Sequence, residues 1–371
     1  MTATRSYPVL LAKRTQLCIA LFLCLVQLLS GSPPLSAADL SPAPPSAPNP
    51  SNPDSAHASQ ARAGLQVNPS NREESINFYL NYYVSTQDIP PDWNGNHDAC
   101  LAGDTTPGFR AAVLQRINYF RAMAGVPADV TFRDDYNRKA QAAALMMSVN
   151  NALDHGPPRQ WRCYTDDGHD GARHSNLFLG VRSPDAVDGY IEDPGGGNHV
   201  VGHRRWIFFP QTRAMGTGDI PQTAGYAAAN ALWVIDSEHY FDERPATRDG
   251  FVAWPPPGFV PNHLIFDRWS ISYPGAEFQD AAVTMLVNGQ PVTVQVLPVE
   301  RGYGENTLVW EPPRAVLAAN RTNESTFAVS ITNVRVDGQA RSFDYAITAY
   351  QPPDFDQANL TNRLYIPLVR R

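Results

Sequence analysis

Hydrophobic spacing changes character near residue 250, which limits the chain to folds joining helices and sheet to a separate β-rich part. Upstream, Phe109, Val113, Ile117 and Phe120 recur at helical spacing. Thr106 is an N-cap type, Pro107 suits the first helical position, and Gly125 closes the run. A second helix is expected over residues 134–150, where Ala140, Ala143, Ala144 and Met147 make a small-residue face fit for close packing. Ser183-Pro184 opens a third, short helix carrying Val187, Tyr190 and Ile191, and residues 214–218 and 227–235 read as strands. Residues 75–84 are aromatic and fit a strand or a short helix equally well. Downstream, Val283, Met285 and Val287 alternate up to the hairpin signal Asn288-Gly289, and Val292, Val294 and Val296 alternate after it. Residues 307–310, 326–334 and 342–350 add further strands. Roughly seven short strands in about 100 residues describe an immunoglobulin-like sandwich, although its Cys…Trp…Cys marker is absent. The expected fold class is α+β: a layered helix-and-sheet domain over residues 75–240, then an all-β sandwich over 251–352.

The ends of the chain read differently. Lys13-Arg14 precedes an apolar run from Cys18 to Leu29, and Ser36-Ala37-Ala38 has the small residues of a cleavage site, so residues 1–38 are expected to be a signal peptide. The chain is then exported, and no second apolar stretch approaches spanning length. Residues 39–74 begin with a Pro-, Ser- and Asn-rich segment that cannot form a core, and are expected to be a disordered linker. The tail, 353–371, ends in a short apolar run and two arginines, read as a last docking strand or a surface-retention signal. Of four cysteines, Cys100 and Cys163 lie outside the leader, and in an oxidising compartment a disulfide between them is the default. The formal charge of −7 speaks against nucleic acid as a partner.

The chemistry concentrates in Asn198-His199-Val200-Val201-Gly202-His203-Arg204-Arg205-Trp206-Ile207. If this is a helix capped by Asn198, His199 and His203 share one face. His155 follows a helical run at Asp154. Imidazoles converging in a groove can bind metal or move protons, and can equally be structural.

Five short pieces now stand in order: residues 116–121 (RINYFR), 140–142 (AQA), 153–155 (LDH), 175–177 (SNL) and 202–206 (GHRRW). Together they resemble the CAP superfamily (cysteine-rich secretory proteins, antigen 5, pathogenesis-related 1), in its bacterial secreted branch. The resemblance covers residues 109–236 and implies an α-β-α sandwich with a groove where two histidines and two acids converge. It maps the histidines to His155 and His203, and one acid to Glu192 with Asp193 as close competitor. The other acid's place, before Asn176, is taken by Ser175, which cannot supply a carboxylate. The groove expected from the resemblance is therefore His155, Ser175, Asn176, Glu192 and His203. Its metal ligands would be His155 and His203, with His199 as an additional candidate, holding a divalent ion such as zinc weakly.

The family is not generally enzymatic. The leading expectation is a secreted protein whose groove binds a small molecule, a lipid or a divalent metal. The alternatives are a surface adhesion module with a vestigial groove, and a metal-dependent hydrolase. Against the hydrolase, Val200 and Gly202 break both zinc-protease spacings, and no Gly-x-Ser-x-Gly run occurs.

Overall fold

The computed structural model describes residues 39–40, 43–44, 64–321 and 323–353. The expected signal peptide, most of the Pro-rich segment and the tail from residue 354 lie outside the described residues. Among the described residues no helix is long and apolar enough to cross a membrane.

The ambiguous aromatic stretch is a helix, α1 (Arg72–Tyr82), because the Asn71 side chain accepts from the Glu74 amide and Glu73 and Glu74 fill the first turn. Residues 64–74, inside the expected linker, are placed against the rest of the chain: Leu65 donates its amide to Ala128 and Phe259 donates to Pro69. Helix α2 (Pro107–Met123) is capped by Thr106, as its sequence implies. After β2 (Thr131–Phe132) comes α3 (Asp134–Asn150), then α4 (Asp166–His174) running directly into β3 (Ser175–Leu179). Helices α5 (Asp185–Glu192) and α6 (Gly202–Ile207) precede β4 (Ala214–Ile220) and β5 (Ala229–Trp233). A two-residue strand near the start, β1 (Asp39–Leu40), completes a five-stranded sheet in the order β1-β3-β5-β4-β2.

Strand alternation makes this sheet the middle of three layers. Leu177, Leu179, Ala229, Ala231 and Ile220 share a core with Ala140, Ala143 and Ala144 of α3. Phe178, Leu232 and Met215, of the opposite parity, pack with α2, α5 and α6. Two glycines set the first spacing. A Cβ on Gly218 would lie 2.2 Å from the Ala140 carbonyl carbon, and one on Gly216 would lie 2.5 Å from Tyr136 Cβ. The small-residue face of α3 therefore meets a strand that is bare where the helix backbone passes.

The β-rich half has two sheets. Strands β7 (Gly258–Pro261), β10 (Ala282–Val287), β11 (Gln290–Val292), β14 (Ser325–Val336) and β15 (Gln339–Tyr350) run in the order β11-β10-β14-β15-β7, with β9 (Ala276–Glu277) against β14. Strands β6 (Val252–Trp254), β8 (Trp269–Ser272), β12 (Gln295–Val296) and β13 (Thr307–Glu311) run in the order β12-β13-β8-β6. Trp269 joins them, its ring 5.3 Å from that of Phe327 on the other sheet. A short helix, α7 (Arg314–Ala319), follows β13. The fold is α+β, with a helix-sheet-helix part and a β-rich part.

The change of grammar near residue 250 is not a break in the core. Trp254 is fully buried, with ring centroids 5.2 Å from Phe120 and 5.6 Å from Phe208. One apolar cluster runs from α1 and α2 through Trp254 into Val329 and Ile347. Periodicity reports local structure and is silent about which faces meet, so it could not reveal this shared core.

Candidate functional site

The histidine stretch is not one continuous helix. A single 3-10 turn spans Gly196–Asn198, and Val201 adopts left-handed backbone at φ 48° before α6 begins at Gly202. His199 and His203 therefore do not share a helix face. His199 lies in the turn, and its Nε2 meets Glu300 Oε1 at 2.8 Å, so it faces the β-rich half. This sets His199, the additional candidate metal ligand, apart from His203.

His203 is fully buried, and its partner is Asp193 rather than Glu192. Asp193 Oδ1 is 2.7 Å from Nδ1 of the imidazole, and Asp193 Oδ2 accepts from the His203 amide at 3.0 Å. Asp193 can do this because it closes α5 in left-handed conformation, at φ 57°, turning its side chain back toward α6. The ring of Tyr190 stacks on the imidazole at 5.5 Å. With Nδ1 bound to a carboxylate, Nε2 is the nitrogen left for other work, and it is buried with no partner among the described residues. Asn176 lies alongside: its Nδ2 donates to the His203 carbonyl at 3.2 Å while its Oδ1 is buried without a partner. Asn198 Oδ1 is in the same state.

A buried polar network extends from this point into the sheet. Tyr190 donates to Asn230 Oδ1 at 2.7 Å, and Asn230 Nδ2 donates to Asp219 Oδ1 at 2.9 Å. Asp219 also accepts from the Ser183 amide and the Thr217 hydroxyl. Burial pushes the Asp219 carboxyl up, and these donors pull against it. Sequence reading missed Asp219, Asn230 and Tyr190 as partners. Their only signal was the polar break, Asp and Asn, inside otherwise apolar strands.

The remaining groove candidates are held elsewhere. Ser175 is buried and pairs in register with Trp233, on the sheet face of Leu177 and Leu179, opposite to Asn176. His155 sets its Nδ1 2.7 Å from the Ala172 carbonyl of α4. The two thus belong to the α4 side of the sheet, while Asn176, Asp193 and His203 belong to the α5–α6 side. Among the described residues, no group of three or more His, Cys, Asp or Glu side chains is arranged to hold a metal ion.

Glu192 sits at the seam with the β-rich half. Burial, with the nearby Asp267 carboxylate adding to it, lifts its carboxyl to about 7, while Arg321 and Arg204 oppose the shift. A raised pKa means that the folded protein holds this proton more tightly than the unfolded chain. The associated stability is complete below the unfolded value near ~4.5 and is lost as pH rises through about 7. Glu192→Gln should therefore raise stability at pH 8, by on the order of 2 kcal/mol, and change little at pH 4. Urea midpoints of both proteins at the two pH values check this. Equal midpoint differences at both would sink the assignment.

With this geometry in hand, residues 114–237 match the family model CAP, the cysteine-rich secretory protein family. The match runs from within α2 to just past β5, includes both histidines, His155 and His203, and supports a CAP domain in this stretch. No curated protein matches the chain.

Proposed function

We propose that this is an exported CAP-domain binding protein whose His203-centred pocket holds a small hydrogen-bonding ligand, with no bond made or broken there. One observation carries this reading. An imidazole fixed by a buried carboxylate keeps Nε2 buried and unsatisfied among the described residues. Leaving a buried polar atom unpaired costs about 1–3 kcal/mol, so such atoms point to a partner from outside the chain. Nε2 of a neutral imidazole that donates from Nδ1 is an acceptor, and Asn176 Oδ1 is a second, so a ligand offering two donors would satisfy both.

Divalent metal is the second reading. A carboxylate on the far nitrogen of an imidazole is how metal-bound histidines are commonly oriented. Yet catalytic and structural zinc sites use three or four protein ligands, and here His203 stands without such a set. Any zinc held by His203 without such a set would be held weakly. The β-rich half we read as an immunoglobulin-like module that braces α6, since Arg204 and Arg205 both reach into it.

The test is native mass spectrometry of purified protein, paired with zinc calorimetry. Wild type should carry a small-molecule adduct that His203→Ala lacks. Ser175→Glu should not strengthen zinc binding, because Ser175 lies on the other sheet face. A wild type with no adduct but with saturable zinc heats abolished by His203→Ala would replace this reading with the metal one.

A further inference from the structure

The outer edge of the CAP-type sheet is occupied by a piece of chain that the sequence gives no reason to expect there. Residues 39–40 pair antiparallel with β3, Asp39 opposite Leu179 and Leu40 opposite Phe178. Three further contacts follow. Ala43 is 4% exposed and belongs to the main apolar cluster. The Pro44 carbonyl accepts from the Trp206 indole at 2.8 Å. Gly202 makes the seat for Ala43: a Cβ there would lie 2.6 Å from Ala43 Cβ and 2.9 Å from the Tyr303 ring. A ladder, an aromatic donor and a glycine-floored pocket for a small side chain are the parts of a strand-addition peptide site.

We infer that the β3 edge, Gly202 and Trp206 form a binding site for a peptide of the pattern Leu-x-x-Ala-Pro, filled in cis by residues 39–40 and 43–44. The argument is independent of the His203 pocket. Backbone pairing to β3 gives sequence-tolerant affinity, and the Gly202 floor admits only a small side chain at the Ala43 position. Trp206 fixes the register, because its one N–H reaches one carbonyl. The in-cis segment is joined to α1 through residues 45–63, whose Pro-, Ser- and Asn-rich composition supplies no apolar anchor of its own. A peptide in trans therefore competes with a tethered copy at high effective concentration, and full-length protein resists it.

The experiment places a protease site within residues 45–63 of the full chain, so that folding precedes any cut. A fluorescein-labelled peptide of residues 39–45 (DLSPAPP) is then added and followed by anisotropy, with circular dichroism as the folding control. Cut protein should take up the peptide at least tenfold more tightly than uncut protein. A peptide with Trp in place of Ala43 should not bind. Gly202→Val in the cut protein should weaken uptake at least tenfold. Equal uptake by cut and uncut protein, no uptake by either, or binding indifferent to Gly202→Val would each overturn the proposal. Should Gly202→Val fail to fold, the Trp-substituted peptide alone decides: binding equal to that of the parent peptide would overturn the pocket.

Discussion

Arg204→Ala should cost about 3–5 kcal/mol, the cost of breaking a buried charged hydrogen-bond set by removing one side. The guanidinium is 1% exposed and donates to the Ile191 carbonyl at 2.6 Å, the Ser270 hydroxyl at 2.9 Å and the Arg268 carbonyl at 2.9 Å. Its interactions thus tie the end of α5 to β8 across residue 250. Among the described residues no carboxylate touches it, and burial pulls its pKa down to about 9, with Asp193 and Glu192 opposing the shift and Arg268 adding to it. The charge is held at a cost, and what keeps it there is the set of carbonyls that nothing else can satisfy. Truncation leaves those acceptors buried and dry. Because the apolar cluster is shared, the loss should appear as one cooperative transition moved to lower urea, with circular dichroism and tryptophan fluorescence coincident. A shift below about 1 kcal/mol would mean that water replaces the guanidinium. Separate transitions by the two probes would restore two independently cored domains.

Sequence reading and structure part company at identifiable places. Helices with an apolar stripe and a cap, α2 and α3, were legible to within a residue or so, because capping and periodicity are local properties. Helix α4 was missed: its sequence, DDGHDGARH, lacks an apolar stripe, and it is held by glycines that let α3 approach. A Cβ on Gly171 would lie 2.2 Å from the Lys139 carbonyl oxygen. The strands β6, β7 and β8 were missed because Pro255-Pro256-Pro257 and the tryptophans around it mask their alternation. In the site, the order of motifs picked out His203 and Asn176, which lie within hydrogen-bond reach of each other. It could not choose between Glu192 and Asp193, since that choice depends on one left-handed residue at the end of α5. Nor could it show that adjacent residues, Ser175 and Asn176, serve opposite faces of the sheet; that follows only once a strand is known to begin at Ser175.

The disulfide offers the second large effect, and one that acts on the unfolded chain. Cys100 and Cys163 are bonded, with Cα atoms 5.1 Å apart and 63 residues of separation. Closing a loop of that length removes enough unfolded-state entropy to stabilise the protein by about 4 kcal/mol in the chain-entropy model. The folded geometry has other supports. Arg162 donates to Asp98 at 3.0 Å and to the Tyr226 hydroxyl at 2.7 Å, and His97 stacks on Tyr226 at 4.2 Å. The Trp93 indole donates to the Ala102 carbonyl, holding the Cys100 loop from its other end. Replacing both cysteines with serine should therefore leave the near-ultraviolet spectrum almost unchanged while lowering stability by about 4 kcal/mol. Arg162→Ala in the disulfide-bonded protein should lower stability only slightly, because it removes exposed bonds that the crosslink backs up. In the double-serine background the same substitution should cost more, since residues 97–101 would then rest on Tyr226 through its direct hydrogen bond to Asp98 and its stack with His97. Urea titration of the four proteins gives the coupling directly. Strict additivity would show that the crosslink and the Arg162 contacts do not share a task. A double-serine protein as stable as wild type would show that its unfolded chain is already confined by other means.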